Sequence, residues 1–299
     1  MTTTLERTPD IYPTRVAAEP KEIGREDAVV WGKPEDGPMD ADTLAGFDAR
    51  GYLTVDQLVT PNEVEKFRAE LRRLSADPVV RADERTVIEA RSQEVRSIFE
   101  VHKISEVFAG IVRDPRVVGR ARQILGSDVY VHQSRVNFKP GFGGGDFYWH
   151  SDFETWHAED GMPRMRAVSV SISLTDNYSY NGPLMIMPGS HKTYVSCVGE
   201  TPEDNYKSSL VMQGAGTPDE GTLSRLADQH GIDVLDGNAG GAIMFDCNCM
   251  HGSNGNITPY PRSNVFIVFN SVENACVEPF AAPTARPTFI GARDFTPVR

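Results

Sequence analysis

Cysteine, basic residues and long apolar segments are all scarce in this chain of 299 residues. Its four cysteines are too few and too irregularly spaced for a disulfide framework, so we expect reduced thiols. Lysine and arginine total 30 against 42 acidic residues, and a formal net charge of -12 argues against nucleic acid or an anionic membrane surface as a partner. No apolar stretch is long enough to cross a bilayer, and no secretory signal core stands near the start, so we expect a cytoplasmic protein.

The composition favours one catalytic domain with an extension. A hydrophobic content of 39% is enough to bury a full core without a division into independent domains. The first part of the chain differs, because five prolines stand among many charges and few periodic apolar positions before residue 40. We therefore predict an extended, partly disordered N-terminal arm over residues 1–45, covering the domain surface, and a single domain over residues 46–299.

Helix signals are concentrated in the first half of that domain. Thr60 as N-cap, Pro61 at the first helical position and Glu63 three residues after the cap predict a helix that continues through Leu74. A second helical region is predicted over residues 104–125, interrupted at Asp114-Pro115 and ended by Gly126.

Strand signals dominate after residue 126. The sequence predicts strands near residues 129–139, 167–174, 184–187, 241–246 and 264–270, with a polar insert over residues 200–237 that holds a short helix. Helices followed by many strands indicate an α+β fold with a double-stranded β-helix, a jelly-roll core of the cupin-like kind, and flanking helices.

The most informative motif is His150-Ser151-Asp152, joined about a hundred residues later by His251. If residues 147–153 are extended, alternation puts the side chains of His150 and Asp152 on the same side of a strand. His251 follows residues 241–245, an apolar run that predicts a buried strand. Two imidazoles and one carboxylate on one face of a metal retain Fe(II) and leave positions open. A solvated strand edge is the non-functional alternative for the His-x-Asp pair.

A zinc site is a weaker interpretation of the same region. Cys247 and Cys249 stand just before His251, but a closed tetrahedral site usually needs another clustered pair of cysteines or histidines, which is absent from the sequence. The remaining cysteines, Cys197 and Cys276, lie far from this motif along the chain.

Arg262 follows His251 by eleven residues and supplies a second element of the pattern. A guanidinium can grip the far carboxylate of 2-oxoglutarate in a bidentate manner while the keto acid end chelates iron. A surface cation in a loop beside Pro261 is the alternative. Along the strand of residues 129–139, alternation puts a polar face opposite a face that includes His132, although such a polar face is often only the wet side of a sheet. The polar face consists of Gln133, Arg135, Asn137 and Lys139.

Several longer segments resemble one known family. Residues 147–167 closely resemble the ectoine hydroxylases, which belong to the phytanoyl-CoA-dioxygenase-like group of Fe(II)/2-oxoglutarate enzymes, and residues 181–191, 250–254 and 261–264 are similar to its other motifs. The likeness runs over about residues 51–295. It implies hydroxylation of ectoine to 5-hydroxyectoine, with consumption of O2 and 2-oxoglutarate, release of succinate and CO2, and a homodimeric assembly.

The resemblance also implies roles for particular residues. The metal ligands would be His150, Asp152 and His251, and the cosubstrate would lie against Lys139, Arg262, Asn137 and Ser253. The substrate contacts would be Gln133, Trp156, Thr155, Phe269 and Arg286. Trp156 and Phe269 have the alternative of ordinary core aromatics, and Arg286 that of an exposed arginine in a proline-rich tail.

Two other functions fit parts of the pattern. A relative that hydroxylates a different small amino-acid-like substrate would keep the iron and 2-oxoglutarate residues but not the substrate contacts. A cupin-like protein that binds a divalent metal without oxygen chemistry would form no succinate under any condition. Halogenation is disfavoured, because related halogenases replace the carboxylate at the position of Asp152 with a small residue.

Overall fold

The structure, a computed structural model, describes residues 9–16, 19–89, 93–209 and 214–299. Its helices are α1 Ala41–Arg50, α2 Pro61–Ala76, α3 Pro78–Ala82, α4 Val101–Ile104, α5 Glu106–Arg113, α6 Pro115–Leu125, α7 Asp152–Thr155, α8 Asn205–Ser209 and α9 Glu220–His230. Its strands are β1 Glu22–Gly24, β2 Tyr52–Val55, β3 Thr86–Ile88, β4 Val95–Phe99, β5 Val129–Lys139, β6 Phe147–His150, β7 Ala167–Ser173, β8 Leu184–Ile186, β9 Thr193–Val195, β10 Asp233–Leu235, β11 Ala242–Asp246, β12 His251–Ser253 and β13 Arg262–Ser271.

Two antiparallel sheets form the core of the fold. The larger sheet has seven strands in the order β2-β11-β7-β13-β5-β4-β3, and the smaller has four in the order β10-β8-β12-β6. Strands distant in sequence are therefore neighbours, as in a jelly roll. The predicted α+β class with a jelly-roll core and flanking helices is confirmed.

Helices cover the outer face of the larger sheet because strands and helices both carry apolar residues on the side where they meet. Val168, Val170 and Ile172 of β7 and Val265 and Ile267 of β13 join one core cluster with residues of α1, α2, α5 and α6. Alternation along each strand turns the intervening residues, such as Ser169, Ser171, Asn264 and Phe266, toward the smaller sheet. The space between the sheets is therefore lined by polar side chains together with aromatic rings such as those of Phe245 and Phe266.

The two predicted helical regions are confirmed. Thr60 and Glu63 form the expected capping box at the start of α2, and Val64, Phe67, Leu71 and Leu74 are its buried face. Helices α5 and α6 are separated at Asp114, and Gly126 ends α6 in the left-handed conformation at φ 59°. A Cβ on Gly126 would approach within 2.8 Å of Trp31, which adds a packing reason for glycine there.

The N-terminal segment is more ordered than the sequence indicated where it is described. Helix α1 starts at Ala41 because Asp40 caps it through the Thr43 amide, so the predicted extended conformation of residues 41–45 is wrong. Tyr12 is fully buried, and β1 pairs with β9. Residues 1–8 and 17–18 of the predicted arm lie outside the described residues. No helix in the described ranges has both the length and the apolar character that a membrane span requires.

Replacement of Thr60 by alanine is expected to destabilise the protein by about 1 kcal/mol, because it removes the hydroxyl that accepts from the Glu63 amide at the start of α2. Thr60→Ser keeps the hydroxyl and serves as the control. Urea denaturation of both variants measures the difference. Equal unfolding midpoints for Thr60→Ala and wild type would show that the cap contributes nothing.

Candidate metal centre

The three predicted metal ligands come together through the pairing of β6 with β12. His150 is the last residue of β6 and lies directly opposite His251, the first residue of β12. Asp152 stands two residues further on, as the first residue of α7. The chain is extended only through Ser151, so the predicted extension to residue 153 is wrong. The Phe153 amide donates to the Cys247 carbonyl, which anchors this strand-to-helix transition.

The geometry of the cluster suits a single ion. The candidate ligand atoms of His150, Asp152 and His251 all lie within 4.8 Å of one another. His150 Nε2 is 3.7 Å from Asp152 Oδ1, and His251 Nε2 is 3.9 Å from Asp152 Oδ2. Among the described residues this is the one group of three or more His, Cys, Asp and Glu side chains with such spacing.

Hydrogen bonds orient both imidazoles for metal binding. Nδ1 of His150 lies 2.7 Å from the Tyr148 carbonyl, and Nδ1 of His251 lies 2.9 Å from the Cys249 carbonyl. A carbonyl can only accept, so each Nδ1 carries the proton and each Nε2 keeps a lone pair for a metal. Burial, followed by the charge of His251, lowers the pKa of His150 to about 4 and keeps it neutral. Ser169 Oγ donates to Asp152 Oδ2 at 3.3 Å.

The zinc interpretation receives no support from the cysteines. Cys247 and Cys249 are buried, and burial raises the pKa of both thiols well above the usual value. Cys249 Sγ contacts the Gly51 carbonyl at 3.2 Å. Neither cysteine belongs to a candidate metal group in the part of the chain that the structure describes.

A cavity beside the metal cluster contains the residues predicted to hold an anion. Lys139 and Arg262 lie opposite each other on β5 and β13, and Asn137 and Ser253 line the same cavity. Arg262 Nη1 donates to the Gly182 carbonyl at 2.6 Å, while its Nε is buried without a hydrogen-bond partner. The alternative of a surface cation in a loop is therefore wrong for Arg262.

The electrostatics of this cavity favour an anionic ligand. Burial lowers the pKa of Arg262 to about 10, and burial together with the charge of Arg262 lowers the pKa of Lys139 to about 7. Lys139 Nζ contacts Ser253 Oγ at 2.9 Å and the Asn254 carbonyl at 2.6 Å, both neutral groups. Two buried cations without a carboxylate partner are costly unless a ligand supplies the opposite charge.

Two further arginines line this cavity, and neither was assigned a role from the sequence. Arg135 lies 4.4 Å over the Phe266 ring, and its Nε has no partner. Alternation had already placed Arg135 between Gln133 and Asn137, so that signal was present. Arg96 on β4 bonds Glu89 through Nη1 at 2.9 Å, but its Nε and Nη2 have no partner. No sequence motif indicated Arg96, because strand β4 was not predicted.

A second cavity adjoins the first and contains four of the five predicted substrate contacts. Its lining includes Gln133, Thr155, Trp156 and Arg286 together with Asp152. Both cavities share Arg135, Asn137, Phe147 and His150, so the metal cluster stands at their junction. Glu159, Asn205 and Ala215 also line the second cavity, and they were not among the predicted substrate contacts.

Phe269 lies elsewhere, which corrects the fifth predicted substrate contact. Its fully buried ring belongs to the core between the larger sheet and the helices. The physical reason is alternation along β13, which puts Asn264 and Phe266 on the face of Arg262 and puts Phe269 on the opposite face. Phe266 lines the cavity instead.

The comparisons with known proteins show which family this chain belongs to. The family "Phytanoyl-CoA dioxygenase (PhyH)" matches residues 47–264. The chain is 65% identical to the ectoine dioxygenase of Streptomyces coelicolor, over 100% of both chains. It is 50% identical to the ectoine dioxygenase of Halomonas elongata, over 94% of this chain and 85% of that protein.

Solved structures are also similar. The crystal structure of EctD from S. alaskensis with 2-oxoglutarate and 5-hydroxyectoine matches with a TM-score of 0.88 and 45% identity, over 97% of each chain. The non-heme alpha ketoglutarate dependent carbocyclase SnoK matches with a TM-score of 0.60 and 18% identity, over 83% of this chain and 88% of that one. At that identity, SnoK shows a shared fold alone.

Replacement of Asp152 by alanine is expected to weaken divalent metal binding by more than about 100-fold, beyond the 10–100-fold loss usual for groups that only support a ligand. The reason is that two imidazoles alone would remain. Anaerobic titration with Fe(II) measures the affinity and stoichiometry. Asp236→Ala, at an exposed position with the same change of charge, is the control. Unchanged binding in Asp152→Ala would contradict the assignment of the site.

Proposed function

Because this chain belongs to the phytanoyl-CoA dioxygenase family, we propose that it hydroxylates ectoine to 5-hydroxyectoine, with Fe(II) as metal and with 2-oxoglutarate and O2 as cosubstrates. Succinate and CO2 are the other products. The observation that carries the proposal is the junction of a His-His-Asp cluster with a cavity of uncompensated cations. The identity to ectoine dioxygenases and the likeness to EctD support ectoine as the substrate.

The residues present fit ferrous iron. His150, Asp152 and His251 would hold the ion through two nitrogens and one oxygen, a donor set that suits Fe(II) and leaves coordination positions free. The hydrogen bonds from each Nδ1 to a backbone carbonyl hold the rings in the required tautomer before any metal enters.

The adjoining cations fit 2-oxoglutarate. Arg262 and Lys139 would bind the carboxylate far from the keto group, and the unpartnered Nε of Arg262 offers a donor for it. Asn137 and Ser253 would add hydrogen bonds within the same cavity. When bound, iron and 2-oxoglutarate supply the oxidising chemistry. The task of the protein is to orient the substrate and exclude water.

The second cavity fits the charges of ectoine, a ring with a delocalised amidinium and a carboxylate. Trp156 offers an aromatic face to the cation, Phe266 offers another from the adjoining first cavity, and Arg286 offers a donor to the anion. Gln133 and Thr155 complete this wall. Related halogenases have a small residue at the position of this carboxylate so that chloride can bind, so the presence of Asp152 supports hydroxylation rather than halogenation.

The assembly and the arm are parts of the same proposal. We infer a cytoplasmic homodimer that binds neither nucleic acid nor membrane, supported by the net charge of -12 and by the family resemblance. Division into an arm of residues 1–45 and one domain is also proposed. Buried ion pairs of Arg15 with Glu154 at 3.0 Å and Glu159 at 2.8 Å support a role for the arm in holding the helical segment of residues 152–160 beside the second cavity.

An aerobic assay with Fe(II), 2-oxoglutarate and ectoine tests the proposal. We expect succinate and an ectoine derivative with one added oxygen in equal amounts, measured by mass spectrometry, and neither product from Asp152→Ala. Succinate without hydroxylated ectoine would refute the substrate and favour a relative with another small substrate. Absence of both products from verified iron-loaded protein would favour a metal-binding protein without oxygen chemistry.

The two phenylalanines of β13 should respond differently to replacement by leucine. Phe266→Leu removes an aromatic face from the first cavity, where it adjoins the second. We expect the KM for ectoine to rise by about twofold to thirtyfold, which corresponds to a cation–π contribution of about 0.5–2 kcal/mol. Phe269→Leu should leave that KM unchanged and lower stability by about 1 kcal/mol. Steady-state kinetics measures the KM of both variants, and urea denaturation measures their stability. The reverse pattern would restore Phe269 as the substrate contact.

A further inference from the structure

Arg286 is held in the wall of the second cavity by a single carboxylate. Its Nε and Nη2 donate to the two oxygens of Asp160 at 2.8 and 2.6 Å. These are the side-chain hydrogen bonds that the described residues give to Arg286, and they leave Nη1 for a ligand. A bidentate pair fixes the plane of a guanidinium, so Asp160 determines where that third nitrogen points.

Asp160 is itself fixed on its other side by a histidine. His132 Nε2 lies 3.0 Å from Asp160 Oδ2, and the two side chains are 0% and 2% exposed. Gly291 packs against the carboxylate, because a Cβ there would lie 2.5 Å from Asp160 Oδ1. Asp160 therefore has no room to turn away from Arg286.

His132 reaches this position through an irregularity of β5. Val268 pairs with Gln133 and Phe269 pairs with Val131, so His132 has no partner across the ladder. This bulge brings the side chains of two consecutive residues, His132 and Gln133, to the side of Trp156. Bulges occur often beside active sites, where they redirect a side chain. Simple alternation had placed His132 on the opposite face from Gln133, and that expectation is wrong.

Three proposed substrate contacts, Trp156, Gln133 and Arg286, are connected to His132 and Asp160 either directly or through the C-terminal segment. The His132 ring packs edge-on against Trp156 with ring centroids 5.3 Å apart. Gln133 Nε2 donates to the Ile290 carbonyl at 2.8 Å, in the same C-terminal segment that carries Arg286. The Ala292 amide donates to the His132 carbonyl at 3.0 Å.

We propose that Asp160 and His132 are positioning residues for the substrate: they hold the guanidinium of Arg286 and the indole of Trp156 in the orientation that binds a small carboxylate-bearing cation. The identity of that substrate as ectoine rests on the proposed function. A preset arginine loses little side-chain freedom when the ligand binds, so its contact contributes more to affinity.

The charges of His132, Asp160 and Arg286 influence one another because the three side chains are in contact. Burial opposes protonation of His132, but the neighbouring Cys276 and Asp160 raise its pKa to about 9. Arg286 and His132 share the carboxylate of Asp160, and the more distant carboxylates of Glu159 and Asp152 also act on the charge of Arg286. Arg286 lines the second cavity together with Trp156 and Gln133, so its ion pair with Asp160 stands in the wall of that cavity.

Asp160→Asn tests the proposal with little change of volume. We expect the KM for ectoine to rise about 10–100-fold, the scale of one oriented charged contact, while the KM for 2-oxoglutarate stays unchanged because Arg262 and Lys139 are untouched. Less ectoine should be hydroxylated for each succinate formed. Asp27→Asn is the matched control, because Asp27 is buried and accepts from Arg164 Nε at 2.6 Å, yet neither residue lines either of the two cavities beside the metal cluster.

Two further results keep the test decisive. A crystal structure of Asp160→Asn should show the Arg286 guanidinium turned from the cavity wall, whatever substrate the enzyme takes, so this inference and the proposed function can fail separately. His132→Phe, which keeps a ring against Trp156, replaces Asp160→Asn if that variant does not fold, and it should also raise the KM for ectoine. Wild-type KM values in a folded variant, or Arg286 unmoved in its crystal structure, would overturn the proposal.

Discussion

The antiparallel pairing of β6 with β12 is the constraint on which the rest of the site depends. It puts His150 opposite His251, and the helix that begins at Asp152 adds the carboxylate. Both imidazoles are oriented by carbonyls of their own strand or the preceding turn, so the cluster is formed before a metal binds. Because the cavities on either side share His150, a keto acid and a substrate can approach the same ion from two directions.

The positive charges that line the first cavity lower the stability of the folded protein when no ligand is bound. Lys139 is buried, and Arg135 and Arg262 are partly buried. Within the described part of the chain, none of the three has an ion pair with a carboxylate, and burial lowers the pKa of each. Buried charges of one sign destabilise a folded chain unless something compensates them. A dianionic cosubstrate would supply that compensation, so the same cations that weaken the fold alone would favour the loaded enzyme.

Much of the fold and part of the site followed from the sequence, because those features depend on local rules. The capping box of α2, the glycine that ends α6 and the alternation of β5 are properties of short segments, and each was predicted. The face of Phe266 and Arg135 was also available from alternation. The bulge at His132 was not, because an extra residue in one strand is visible only against its partner β13. Arg96 and Asp160 act through distant contacts that no motif reports.

The most direct test of the account is anaerobic calorimetry of 2-oxoglutarate binding to the protein with and without Fe(II). One site per chain is expected, with tight binding only when iron is present, since the ligand would contact both the metal and Arg262. Replacement of Arg262 by glutamine should weaken that binding without loss of the iron. Equal affinity with and without iron, or binding insensitive to Arg262, would contradict the claim that one cluster and one cation hold the cosubstrate together.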